Sequence, residues 1–282
     1  MRRSSYYIKS ILGKIEYLLS GLNPLPGELL VLNYHGTQKR FIPAFERQLD
    51  FLAKHFSFFA PGQLENYYYR NVHPSSPSVL ITFDDGIKNN LHAARILAEK
   101  KISALFFIVP EFVDTTESKQ ESYFRKNIRQ VIDASIGYEK EDMTAMNWED
   151  LLDIIKLGHS LGAHSTTHTL LSATSNDQES FREIVLCQKR IAEATDAGIL
   201  SFCSPNNSLL SCGPREMKLI RENYRFFFST IPGSNLTENN PFFIHRSNVE
   251  VDWNQGAFIQ SIGKWDRKRW EGKNQLFKNI AG

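Results

Sequence analysis

Two acidic residues, Asp84 and Asp85, stand side by side in the stretch LITFDDG (residues 80–86), where an apolar run gives way to a glycine. Consecutive side chains of an extended chain point to opposite faces. A pair at a strand end therefore reaches one cavity only if the backbone turns there, and Gly86 supplies that freedom. Two carboxylates held a few ångströms apart do not both ionise unless something positive sits beside them. A metal ion answers that need, and the stretch GAHSTTH (162–168) offers further ligands, His164 and His168, four apart directly after an apolar run. One turn of chain aims both imidazoles at a common point. Neutral imidazole nitrogens with a carboxylate suit zinc and leave room for water. Two histidines four apart are, alone, more often coincidence than ligands; the two stretches together point to a metal site.

Alternating elements must position these residues. ELLVLNYHG (28–36) reads as a buried strand ending in Tyr34, His35 and Gly36, and PAFERQLDFLAKHF (43–56) has helical spacing at Phe45, Leu49, Leu52 and Phe56. The alternation continues with a strand over 78–83, a helix near 90–100 and a strand over 104–109. An irregular polar insertion over 114–146 and the helix WEDLLDIIKLG follow. SLGAH then reads as a strand, 177–197 as a helix, ILSFCSP as a strand, GPREMKLIRENY as a helix, and RFFFST and FFIHR as strands. Strands separated by amphipathic helices imply parallel βαβ units, and their number predicts an α/β fold, a distorted (β/α) barrel of about seven strands. In such a barrel VLNYHG, TFDDG, GAHSTTH and CSPNNS all end strands and converge on one mouth.

At 282 residues the chain is long for one domain but within the range of a single barrel. With 41% hydrophobic and 23% charged residues it has a globular composition, which excludes extensive disorder. A net charge of +2 gives no reason to expect a nucleic-acid partner, but its distribution is uneven. The first twenty residues hold four bases against one acid, and residues 264–282 six against two, leaving the middle acidic. Cys187, Cys203 and Cys212 form an odd set without CxxC spacing, which argues against a disulfide framework or thiolate zinc site and fits a reducing compartment. Lys9, Lys14 and Glu16 interrupt any secretory h-region, and no run approaches a transmembrane span. Ile8, Ile11, Leu12, Ile15, Leu18, Leu19 and Leu22 recur at helical spacing. The expected organisation is an amphipathic helix and linker over 1–27, a catalytic barrel over 28–260 and a basic tail over 261–282. The first helix is expected to pack on the barrel or lie on a bilayer.

TFDDG followed downstream by HSTTH resembles the first two motifs of the polysaccharide deacetylases, carbohydrate esterase family 4, over about residues 30–250. The resemblance implies that Asp85, His164 and His168 hold a divalent metal, Zn²⁺ or alternatively Co²⁺ or Ni²⁺, and that Asp84 is the catalytic base. It also implies that the amide of Asn206, in CSPNNS after Pro205, helps to stabilise an oxyanion. The general acid of the family is commonly a C-terminal His, for which no match follows residue 250. Some relatives resemble a circular permutation with the last strand placed first, and His35 in LNYHG would then be the acid. The family's R-x-P-Y-G motif is replaced by Cys203, Ser204, Pro205, Asn206 and Asn207. Arg246 either supplies the missing positive charge to Asp84 or forms an ordinary strand-end ion pair, and it is grouped with Pro205 and Asn206 on the substrate side. His245, His159 and His92 read as structural or surface residues, and Trp148 and Trp253 as sugar platforms or packing anchors.

The expected activity is metal-dependent removal of an N-acetyl or other N-acyl group from an amino sugar of a surface polysaccharide or its lipid-linked or nucleotide-linked precursor. The expected setting is cytoplasmic, with peripheral contact at the inner membrane face. Two other readings stand beside it: a hydrolase of another non-peptide C–N bond such as a formamide, and an inactive carbohydrate-binding relative.

Overall fold

The computed structural model describes residues 3–129, 137–206, 212–236, 239–266, 268 and 270. Asn207 and Ser208 of CSPNNS, part of the 114–146 insertion and most of the basic tail lie outside the described residues. Eight short strands carry the fold: β1 (Leu29–Tyr34), β2 (Ser57–Phe58), β3 (Ser78–Phe83), β4 (Ala104–Ile108), β5 (Ser160–Ala163), β6 (Ser201–Cys203), β7 (Phe226–Phe228) and β8 (Ser247–Asn248). All pair in parallel, in the order β7-β6-β5-β4-β3-β1-β8, with β2 against the start of β3. The segment before β8 draws the two edges together, because Ile244 bridges Phe228 while Asn248 pairs with Asn33 of β1. The result is the curled (β/α) barrel expected.

Burial follows the two-residue period of the strands. Leu30, Leu32, Val79, Ile81, Phe83, Phe106 and Ile108 face the outer helical layer. Leu29, Val31, Leu80, Leu105 and Phe107 face a separate inner cluster closed by Phe226, Phe228 and Ile244. Strands buried on both faces explain the unbroken apolar runs in the sequence. The outer layer includes α2 (Ile42–Ala53), α4 (Asn90–Glu99), α7 (Trp148–Lys156), α9 (Cys187–Thr195) and α10 (Pro214–Asn223), each burying one stripe. Short helices α3 (Leu64–Tyr69), α5 (Pro110–Asp114), α6 (Glu117–Tyr123) and α8 (Asp177–Phe181) fill the connections.

Two expectations need correction. The 114–146 insertion is substantially helical in its described part: α6 continues into a π-helical turn over 124–128, and a 3₁₀ turn spans 140–143. The helical pieces themselves bury few apolar residues, Phe124 and Met143, so no helical periodicity shows in the sequence. FFIHR makes only the single Ile244 bridge, and regular pairing begins at Ser247. The first helix, α1 (Arg3–Ser20), packs on α11 (Gln255–Ile262) through Gly13 and Gly256. A methyl group on Gly13 would lie 1.9 Å from the Gly256 carbonyl oxygen, so the backbones approach as only glycine permits.

Candidate metal centre

The strand alternation aims Asp84 inward, on the side of Leu80 and Thr82. Asp85 would then point outward, but its φ of 74° and that of Gly86 at 69° turn the chain sharply and return the second carboxylate to the same mouth. Asp is among the few non-glycine residues that enter this left-handed region readily. Both carboxylates are almost wholly buried.

His164 follows β5 directly, and its amide donates to the Ile108 carbonyl of β4 at 2.9 Å. The loop beyond is fastened to the outer helical layer: Thr166 N–H donates to the Glu183 carbonyl, and Thr167 N–H to the Glu183 carboxylate at 2.9 Å. Ser165 and His168 both have left-handed φ, 57° and 65°, which bend the loop so that the two rings meet edge-on with centroids 5.1 Å apart. His164 Nδ1 donates to the Cys203 carbonyl, and His168 Nδ1 to the Asn127 carbonyl, each at 2.8 Å. These bonds fix the tautomers and leave each Nε2 with its lone pair directed inward.

Asp85 Oδ1 lies 3.4 Å from His164 Nε2 and 3.3 Å from His168 Nε2. It is buried and makes no well-formed hydrogen bond. One oxygen and two imidazole nitrogens, all within 4.8 Å of one another, are a donor set fit for a divalent cation such as zinc. Burial alone would raise the Asp85 pKa, but the two imidazoles and His35 hold it well below the usual carboxylate range. Burial would lower the pKa of His168, but Asp85, with the Asn127 carbonyl, raises it above its ordinary value of 6.5. Asp84, His164 and Cys203 also cluster within 4.8 Å. Cys203 is the poorer ligand, since burial pushes its thiol pKa far up and its Sγ already meets the Arg246 guanidinium.

Asp84 takes a different environment. Arg246 grips it through two bonds, Nη1 to Oδ1 at 2.7 Å and Nη2 to Oδ2 at 2.9 Å. The remaining guanidinium hydrogens go to the Ser229 carbonyl, Asn33 Oδ1, Thr82 Oγ1 and Cys203. Burial would raise the Asp84 pKa, but Arg246 first, then His164 and His35, bring it below its ordinary value of 3.8. With 1% of its surface exposed, Arg246 faces the carboxylate rather than a substrate. The pair sets one positive charge directly against this carboxylate. Asn33, Thr82 and Ser229, which position Arg246, carried no signal in the sequence.

His35 follows β1 at the mouth, half-buried, and its Nδ1 has no hydrogen-bond partner among the described residues. Pro205 is buried, while Asn206 is exposed with a φ of 70° and its carbonyl accepts from Thr230. The other histidines have structural contacts. His159 Nδ1 accepts from the Ala104 amide and its Nε2 donates to the Ala94 carbonyl, His245 Nδ1 meets the Ile231 carbonyl, and His92 pairs with Glu141. Trp148 donates to Asp114 beneath Arg190. Trp253, with Lys9 over its ring, borders a cavity of about 820 Å³ that runs past Gly36 and Asn89.

Several solved structures share the fold. The Streptococcus pyogenes deacetylase PplD in complex with acetate is 15% identical, with a TM-score of 0.64 over 84% of this chain and 99% of that one. IcaB from Ammonifex degensii is 21% identical, with a TM-score of 0.61 over 84% and 98%. The BpsB deacetylase domain from Bordetella bronchiseptica is 17% identical, with a TM-score of 0.63 over 81% and 98%. No curated protein matches the sequence. The sequence model of the polysaccharide deacetylase family matches residues 71–211, half of the chain, and takes in β3 with both aspartates and both histidines. The chain therefore belongs to the polysaccharide deacetylase family, hydrolases that act on carbon–nitrogen bonds.

Proposed function

We propose that this protein is a metal-dependent N-deacetylase of an amino sugar in a surface polysaccharide or its lipid-linked or nucleotide-linked precursor. The carrying observation is the pairing of Asp85, His164 and His168 around one buried oxygen with a second carboxylate, Asp84, held ionised beside it. Zn²⁺, Co²⁺ or Ni²⁺ held by those three residues would supply Lewis acidity and a water of lowered pKa. Asp84 accepts the proton of the attacking water at a carboxylate oxygen. Arg246 positions that carboxylate and keeps it unprotonated; it does not touch substrate. His35 delivers a proton to the departing amine, a task suited to a half-buried imidazole with a ring nitrogen left unpaired. Pro205 and the amide of Asn206 line the substrate side, where an N–H would share the charge of the oxyanion.

The catalytic unit in this proposal spans residues 28–260, with 1–27 and 261–282 as flanking segments. It works in the cytoplasm, at the membrane face where a lipid-linked precursor is presented. His35 lies outside the segment matched by the family model, so its role as the acid of a permuted barrel belongs to the proposal as well.

The test is release of acid from N-acetyl and N-formyl amino sugars by the metal-loaded protein, with acetate and formate measured separately. Acetate release that stops on chelation supports the reading. Formate without acetate transfers it to deformylation. Neither acid, from protein holding about one ion per chain, overturns it in favour of carbohydrate binding alone.

A further inference from the structure

The first helix is amphipathic in the sense opposite to a packed helix. Its small and polar residues face the protein: Ser10 Oγ donates to Asn254, Gly13 abuts the Gly256 carbonyl, and Glu16 accepts from the Trp265 amide. Its large apolar residues, Ile8, Ile11, Leu12, Ile15, Leu18 and Leu19, face outward, with Leu18 and Leu19 exposed to 83% and 75%. The Gly13–Gly256 contact fixes this roll, because turning the apolar stripe inward would force side chains into a gap that holds no Cβ. An exposed stripe of this size marks an interaction surface.

We propose that this outward face of α1 docks the enzyme on the surface of an anionic lipid bilayer. Three observations favour that occupant. Bases bracket the stripe: Arg2 and Arg3 precede it, Lys14 stands exposed within it, and α11, to which it is bound, leads into six bases against two acids over 264–282. Such ends are attracted to anionic headgroups, each base near the surface adding to binding. A second copy docked through the same face would instead bring two basic sets together. The helix suits a surface rather than a span, since no described helix is long and apolar enough to cross a membrane. The stripe also adjoins a cavity, because Tyr7 is exposed beside Ile8 and at the same time lines the cavity that passes Trp253 and Gly36.

Flotation of the full chain with vesicles tests this directly. Phosphatidylcholine vesicles containing phosphatidylglycerol should carry the protein upward at low salt, and pure phosphatidylcholine should carry much less. Ile11→Ser/Leu18→Ser should lower the floated fraction at least about tenfold with unchanged circular dichroism and metal content. The proposal fails if the wild type stays at the bottom or if the double variant floats equally. It fails also if light scattering shows a dimer that this variant splits, which assigns the face to a second copy.

Discussion

Replacing Arg246 with Met removes a charge from a place where water cannot replace it. Asp84 is 2% exposed and Arg246 1% exposed, so the carboxylate left behind has lost two bonds of 2.7 and 2.9 Å and its nearest counter-charge. Breaking a buried pair from one side costs about 3–5 kcal/mol. The Ser229 carbonyl, Asn33 and Thr82 lose a donor too, which adds up to about 1 kcal/mol for each group left unpaired. For a chain of this size the sum corresponds to a fall in Tm of at least about 6 °C. The cost depends on pH in a definite sense. In the wild type the Asp84 pKa is depressed, so its contribution is complete above 3.8 and is lost as pH falls through the folded value. In the variant burial acts unopposed by Arg246, so the deficit grows as pH rises above about 3.8. Urea unfolding of Arg246→Met, Asp84→Asn and the double variant at two pH values measures both effects. The double variant should recover at least about 2 kcal/mol relative to the sum of the singles. A loss below about 1 kcal/mol for Arg246→Met, or simple additivity, would refute the pairing as the support of Asp84.

Asp84→Asn should abolish turnover while about one metal ion per chain remains, whereas Asp85→Asn should weaken metal binding at least about tenfold; elemental analysis after gel filtration separates the two roles. His35→Ala should keep its metal and slow turnover by about 10²–10⁴-fold, read from kcat on a released-acid assay, and full activity would move the acid elsewhere. His159 is held neutral by burial, which lowers its pKa below 6.5 against the bond to Ala94. A depressed histidine contributes stability that is complete above 6.5 and declines as pH falls toward the folded value. His159→Gln, which still accepts from Ala104 and donates to Ala94, should flatten that part of the stability profile in thermal melts.

The parts of this protein that were legible before folding are those set by local pattern. Apolar runs marked the strands, Gly86 after the paired aspartates marked a strand end turned toward one cavity, and the spacing of His164 and His168 marked two candidate ligands. Arg246 was legible only as a charge that Asp84 required, because the two are 162 residues apart and meet through the closure of the sheet. The carbonyls of Asn127 and Cys203 that set the two tautomers were not legible at all, since every residue has a carbonyl and only the fold decides which one a ring meets. For α1 the periodicity identified the apolar stripe but not its direction. That was settled by Ser10, Gly13 and Glu16, whose spacing of three residues forms the packed face.

The mouth is built against local backbone preference at four points, Asp85, Ser165, His168 and Asn206, each with φ between 57° and 74°. Single residues held there cost of the order of 1–2 kcal/mol each. They cluster at the ends of β3, β5 and β6, where they turn the chain back toward the mouth. Asp85 joins Asp84, and His168 returns to His164. What offsets the strain is already within the protein. The Glu183 carboxylate and carbonyl fasten Thr166 and Thr167, Tyr123 donates to the Thr167 carbonyl, and Ile108 anchors His164. None of these contacts requires an ion. The three donor atoms are therefore brought together by contacts within the barrel and its loops.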